Sequence, residues 1–240
     1  MPPPSRSARS AAAPTAPPDP RQLRQQAMAD TRRQLVLDAA RSAFFELGME
    51  KASIREIAQR AGYTPGAIYS YFASKEAVYG ALLGESLDRL VEAVQQQAQA
   101  HTPGAPRLHA AARAFFDFYR DNPRDLDLGF YLFQGMKPRG LTPELNEALN
   151  ARLLESLQPC QTELEGLGMP AAQALQEVTA LFAHAVGVLV LSHTGRIRLF
   201  RQASDELFQR YLEQLVARTP AASTPPPPQS AKPAAKVSRK

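Results

Sequence analysis

Between Ser53 and Phe72 the chain reads S-I-R-E-I-A-Q-R-A-G-Y-T-P-G-A-I-Y-S-Y-F, and Lys75 follows shortly after. The second half of this stretch crowds hydroxyls and bare backbone together: Thr64, Pro65, Gly66, Ala67, Tyr69, Ser70 and Tyr71. Hydroxyls donate to phosphate oxygens, and the free amides at a helix start do the same, helped by the positive end of the helix dipole. Gly66 and Ala67 have almost no side chain, so backbone there can approach a large ligand closely. Ser53 and Arg55 stand where a preceding short helix would meet a phosphate strand, and Lys75 supplies charge at the start of the following helix. These types at this spacing suit the gripping of a polyanion rather than the making of bonds.

Other chemistries find little material. No Gly-rich phosphate loop, metal-ligand cluster or nucleophile elbow is present, and the single Cys160 follows a proline with no signature around it. The four histidines have no acidic or cysteine neighbours at ligand spacing, which argues against a metal site. The expectation is a non-enzyme without metal or cofactor. One cysteine also excludes an intrachain disulfide and fits a reducing compartment. The N-terminus lacks the apolar core of a secretory signal, and the longest apolar stretch, Val178 to Leu191, is interrupted by Thr179, His184 and Gly187. A cytoplasmic protein with no membrane partner is expected.

Helices must position the polar stretch. Val36, Leu37, Ala40, Ala43, Phe44 and Leu47 recur at helical spacing and end at Gly48, a natural left-handed cap. Ser53 and Glu56 form an S-x-x-E capping box; behind it Ile54, Ile57, Ala58 and Ala61 make an apolar stripe closed by Gly62. Thr64 caps the next helix with Pro65 at its first position. Ser74 opens a longer one that Val78, Leu82, Leu87, Leu90, Val91 and Val94 carry to about Gln99. Two short helices around a glycine turn are a helix-turn-helix pattern, whose second helix enters the DNA major groove. Ile68 and Phe72 then face a three-helix core. The stretch from Pro65 to Tyr71 has no Arg, Lys, Asn or Gln, so it lacks the usual bidentate base readers. Base contact falls to Thr64, Ser70, the tyrosines, the Ala67 methyl group or DNA shape.

Beyond this block, helical segments are expected over residues 107–120, 124–136, 142–166, 170–193 and 204–218. The fold class is all-α, with about nine helices and no sheet. Residues 1–29 read as a disordered Pro/Ala/Arg-rich tail, 30–90 as the DNA-binding domain, 91–218 as a second helical domain, and 219–240 as a disordered basic Pro-rich tail. The net charge is +5, but the two tails carry more than all of it, and the body between them is net negative. The basic balance alone therefore marks no binding face. Arg21, Arg24, Arg32 and Arg33 can act as an arm on phosphates or the minor groove, or serve only as a solubilising tail.

The span from Thr31 to about Leu83 resembles the N-terminal domain of the TetR/AcrR family of transcriptional regulators. The resemblance rests on V-L-D-A-A with F-F-E-L-G, on S-I-R-E-I-A-Q-R-A-G, and on T-P-G-A-I-Y-S-Y-F-A-S-K-E-A-V. It implies a homodimer of all-α subunits, each with a three-helix DNA-binding head and a C-terminal helical body for effector binding and dimerisation. By position it places DNA contacts at Ser53, Arg55, Thr64, Pro65, Gly66, Ala67, Tyr69, Ser70, Tyr71 and Lys75. In the body, Phe116, Tyr119, Phe130, Tyr131, Phe133, Met136 and His184 are candidates for an effector pocket, or ordinary core. Ala183, Val186, Gly187, Val190, Phe208, Tyr211, Leu212 and Leu215 are candidates for the dimer interface, or packing within one subunit. The function expected is a dimeric repressor on a double-stranded DNA operator, released by a small-molecule effector. The alternative is an effector-independent, DNA-bound structural or division-control protein of the same fold.

Overall fold

Asp19 starts the first helix by accepting a hydrogen bond from the Arg21 amide at 2.9 Å, and Pro20 occupies the first position, where its missing N–H costs nothing. The resulting α1 spans Pro20–Lys51 and breaks its helical geometry at Gly48, whose φ of 78° suits glycine. The computed structural model describes residues 19–130 and 141–220. α2 spans Ile54–Ala61, α3 Pro65–Tyr69, α4 Lys75–Gln99, α5 Ala105–Asp121, α6 Pro123–Phe130, α7 Pro143–Gly166, α8 Ala171–His193 and α9 Ser204–Ala217. A short 3-10 turn, Arg196–Phe200, joins the last two. Among the described residues there is no strand, and the all-α architecture with its N-terminal three-helix head and C-terminal helical domain is as the sequence indicates.

One boundary differs. Helix begins at Pro20, so residues 20–29 are not an unstructured tail. They lack a buried apolar face, which hid the helix from a reading of periodicity. They are rich in Gln, Arg and Ala, good helix formers, and they extend a helix already nucleated by packing farther along. The expected helix over 124–136 is described only to Phe130. Tyr131, Phe133 and Met136 lie outside the described residues, as do residues 1–18 and 221–240.

Packing follows from which faces are apolar. Val36, Leu37, Ala40 and Ala43 of α1, Ile57 and Ala58 of α2, and Ile68 of α3 are all fully buried and close the head around Phe72 and Val78. α4 is the shared spine. Its first turns pack against α1, and its longest contacts are with α5 and α7. A Cβ added at Gly80 would collide with the Leu145 side chain, so glycine lets α7 lie close against α4 there. α8 is 23 residues long and holds an 18-residue window of mean hydropathy 1.7, enough by length and composition to cross a bilayer despite the polar interruptions expected to prevent that. A third of that window is buried within the subunit. Much of the remainder is small: Ala172, Ala180, Ala183 and Gly187 are exposed.

Candidate nucleic-acid interface

The polar stretch folds as two capped helices. Ser53 Oγ accepts from the Glu56 amide at 3.2 Å and Thr64 Oγ1 from the Ala67 amide at 3.3 Å. Gly62 adopts φ 72°, turning the chain between them. Only half of the expected capping box forms. The Glu56 carboxylate accepts instead from Arg60 Nε at 2.8 Å, and Arg60 also bridges Glu46 of α1 at 2.8 Å. Hydrogen bonds from Arg60 and then Ser42 hold the Glu46 carboxyl below its ordinary pKa. This cluster fixes the angle of α2 on α1.

At the tip, hydrocarbon points inward and polar atoms point out. Ile68 is fully buried and Phe72 nearly so, while Thr64, Pro65, Gly66, Tyr69 and Ser70 are exposed, Tyr69 at 57%. Ala67 and Tyr71 are half-buried. Ser53 and Arg55 of the preceding helix are exposed as well. A Cβ added at Gly66 would meet only Thr64 Oγ1, at 4.0 Å, so nothing within the subunit requires glycine there. Ser70 Oγ donates to the Ala67 carbonyl at 2.7 Å, leaving its oxygen free to accept.

Lys75 departs from expectation. Its ammonium donates to the carbonyl of Met49 at 2.7 Å and reaches that of Glu50 at 3.5 Å, so it is engaged at the end of α1 instead of standing free for a phosphate. The cause is electrostatic: the negative end of a helix dipole attracts the nearest cation.

The body candidates divide. Phe116 is fully buried and stacked on Phe208, with ring centroids 4.2 Å apart and planes 9° from parallel. Tyr119 packs edge-on against Phe115, Phe118 and Phe130, and Phe130 against Phe182. Burial raises the Tyr119 phenol above its usual range, with Asp125 adding to the effect. These rings interlock as core. None of Phe116, Tyr119, Phe130 or His184 lines either of the main clefts. One cleft, about 740 Å³, lies between α1, α4 and α6; the other, about 670 Å³, lies between α4 and α5. His184 stacks on Tyr211 at 4.2 Å, and its Nε2 is buried without a hydrogen-bond partner.

Of the interface candidates, Ala183 and Gly187 are exposed, and Val186, Val190 and Tyr211 are half-buried. Phe208, Leu212 and Leu215 are buried inside their own subunit, because that stripe of α9 closes the core over α5 and α8. They are not open to a partner. Cys160 is fully buried, and burial pushes its thiol up to about 12, so it is inert. Among the described residues no cluster of His, Cys, Asp and Glu could hold a metal ion.

Contacts between head and body were not foreseen. The Tyr79 hydroxyl donates to the Leu128 carbonyl, Arg89 bridges Asp125 at 2.7 Å, and the Arg124 guanidinium lies 3.9 Å from the centroid of the Phe45 ring. All three tie α6 to α1 or α4 across the larger cleft. No periodicity signals them, since the partners stand far apart in sequence.

Comparison with known proteins agrees with this geometry. Residues 36–82 match the family described as bacterial regulatory proteins, tetR family, and residues 108–215 match the tetracyclin repressor-like C-terminal domain. The HTH-type transcriptional regulator BetI of Yersinia pestis (strain Pestoides F) is 39% identical over 193 residues, covering 78% of this chain and 93% of BetI. The HTH-type transcriptional activator FasR of Mycolicibacterium smegmatis is 39% identical over 101 residues, covering 42% of this chain and 46% of FasR. The chain thus spans less than half of that relative. Among solved structures, the Bacillus subtilis regulator FadR in complex with stearoyl-CoA superposes with a TM-score of 0.59 at 21% identity, covering 77% of this chain and 97% of FadR. The regulatory protein SCO4313 gives 0.65 at 19% identity, covering 81% of this chain and 97% of its own. At such identities the structures speak for the fold.

Proposed function

The chain belongs to the TetR family of DNA-binding transcriptional regulators, not of enzymes, and from that premise we propose a cytoplasmic dimeric repressor that a small-molecule effector releases from its operator. The observation that carries the reading is the tip of the head, where Thr64, Pro65, Gly66, Tyr69 and Ser70 are exposed over a buried Ile68. In this reading the α3 amides, with Ser53, Arg55, Thr64, Ser70 and the hydroxyls of Tyr69 and Tyr71, contact phosphates. Pro65, Gly66 and Ala67 lie against the groove. Lys75 positions the end of α1.

Two heads must then be held about 34–36 Å apart to meet successive major grooves. The exposed small residues of α8, Ala183 and Gly187 with Val186 and Val190 beside them, suit close approach by the same face of a second copy. An effector favouring one arrangement of α6 shifts the heads through the Tyr79–Leu128 and Arg89–Asp125 contacts, and by no more than its preference for that state. That a protein of this fold was solved with stearoyl-CoA supports the binding of a small-molecule effector.

The test is selection of bound duplexes from fragmented genomic DNA by the purified chain, followed by mobility shifts with compounds related to the neighbouring genes. Recovery of a palindrome, with release by one compound, is the expected result; indiscriminate recovery overturns it. A second reading, activation, is favoured by the name of FasR. In vitro transcription from the recovered promoter decides between them.

A further inference from the structure

α1 carries a stretch that its own subunit does not use. From Pro20 to Leu35 only Ala29 is even half-buried, and every other residue is exposed. Within it Arg21, Arg24, Met28, Arg32 and Leu35 follow at intervals of three and four, which puts them on one stripe of the helix. Asp30 lies off that stripe and is engaged by Gln26 Nε2 at 2.9 Å.

The arginines of this stretch differ from those packed between helices, although Arg55, Arg196, Arg198, Arg201 and Arg210 also show no carboxylate partner among the described residues. Arg41, Arg60, Arg89, Arg113, Arg120 and Arg152 each meet a carboxylate. Among the described residues Arg21, Arg24, Arg32 and Arg33 meet none, and Arg24 donates only to the Pro20 carbonyl at 3.2 Å. Meanwhile the recognition tip is short of charge. α3 contains no cation, Lys75 is held by carbonyls, and Arg60 is paired twice. The stretch also leaves the head at the right place. The Arg33 guanidinium lies 5.0 Å from the centroid of the Phe72 ring, and Phe72 follows directly on Tyr71. At about 1.5 Å per residue, Arg21 stands roughly 18 Å along the axis from Arg33.

We propose that the first turns of α1 are a second DNA-binding element: Arg21, Arg24 and Arg32 grip backbone phosphates of the operator duplex flanking the half-site that α3 occupies. The inference rests on the DNA-binding reading above and adds a site outside the helix-turn-helix. Its ligand is the phosphodiester backbone, held by charge, so the contact is indifferent to sequence. A rigid helix delivers the guanidinium groups at fixed spacing, which a coil of the same composition would not do. Each phosphate neutralised releases condensed counterions, and that gives the contact a measurable signature.

The experiment uses the full chain and a duplex recovered by the wild-type protein from a randomised 40-base-pair pool. Affinity is followed across a salt series, and hydroxyl-radical footprints are recorded. For R21A/R24A we expect binding at least about tenfold weaker at low salt and a salt slope shallower by about 0.9 per arginine removed. Protection should fade at the flanks while the half-sites stay protected, and R21K/R24K should restore the slope. The substituted residues are exposed, and unchanged circular dichroism confirms that the fold is kept. An R21A/R24A protein with the wild-type slope and footprint overturns the arm and leaves the regulator reading intact. A wild-type chain that recovers no duplex overturns both.

Discussion

The two ends of this molecule hide and show opposite things. At the tip of the head, Ile68 and Phe72 are buried while Thr64, Gly66, Tyr69 and Ser70 are open to solvent, and Arg33, 5.0 Å from the Phe72 ring centroid, meets no carboxylate among the described residues. On the outer face of α8, Ala172, Leu175, Ala180, Ala183 and Gly187 are exposed, and charged residues are scarce. The first surface is made for a charged, hydrated ligand that enters by hydrogen bonds and counterion release. The second is made for a dry, close-fitting one. Exposed apolar surface is costly on a lone chain unless something covers it. In the dimer proposed above, the contrast ties one function to both ends: the apolar face sets where the polar tips sit.

The sharpest way to break that contrast is to ask whether α9 belongs to the core or to the interface. Phe208 stacks on Phe116 and both are fully buried, so Phe208→Ala should destabilise the subunit by about 3–5 kcal/mol. Urea unfolding over a range of protein concentrations measures it. If Phe208 acts inside the subunit, the loss is the same at every concentration. A loss that grows on dilution would move this stripe to the interface and contradict its burial.

Next in size is the effect of charging the α8 face. Ala183→Glu puts a carboxylate on the exposed surface and touches nothing in the core. The expected product is a folded monomer by sedimentation equilibrium, with operator affinity reduced by more than about tenfold, or 1.4 kcal/mol. A dimer of unchanged strength would place the interface elsewhere.

How far the sequence could be read follows the same divide. The head was legible because its signals are local. Ser53, Gly62, Thr64 and Ser74 each mark a helix end through bonds within three or four residues, and each does so in the structure, whereas Gly48 only kinks α1, which runs on to Lys51. The body was legible only as helices. That Phe116 meets Phe208, or that Arg124 meets Phe45, depends on how helices far apart in sequence are laid together, and no short-range rule carries it. The same limit explains Lys75, whose partner carbonyl at Met49 is 26 residues away. It also explains the beginning of α1, where a helix exists without the buried stripe that usually announces one.

Two hydroxyl and ammonium groups in the head allow a finer division. Thr64→Ala removes the cap of α3 and should cost about 1 kcal/mol of stability along with operator affinity. Lys75→Ala should also lower the melting temperature, since it removes a charge-assisted hydrogen bond to the Met49 carbonyl, but the salt slope of DNA binding should stay as in the wild type. A shallower slope would return Lys75 to the phosphates.

The smallest effect concerns pH and lies at the α8–α9 contact. His184 has its pKa lowered from the ordinary 6.5, first by burial, against a weaker opposing bond to the Leu207 backbone. Its buried Nε2 has no partner, and its ring lies 4.2 Å from that of Tyr211 in near-parallel stacking. Because the folded value is depressed, the unfolded chain binds the proton more readily. The neutral ring's contribution is therefore complete above pH 6.5 and is lost as pH falls through the lowered folded value. His184→Phe keeps the stacking and removes the titration. Melting temperatures followed from about pH 8 down to about pH 5 should fall less steeply for His184→Phe than for the wild type. The paired carboxylates of Asp121 and Asp205 do not confuse the comparison, because Arg113 and Arg120 hold them below an ordinary value of 3.8 and they titrate only at lower pH. Parallel curves for the two proteins would mean that His184 meets the same surroundings folded and unfolded, and the α8–α9 contact would then be more open to water than its buried nitrogen implies.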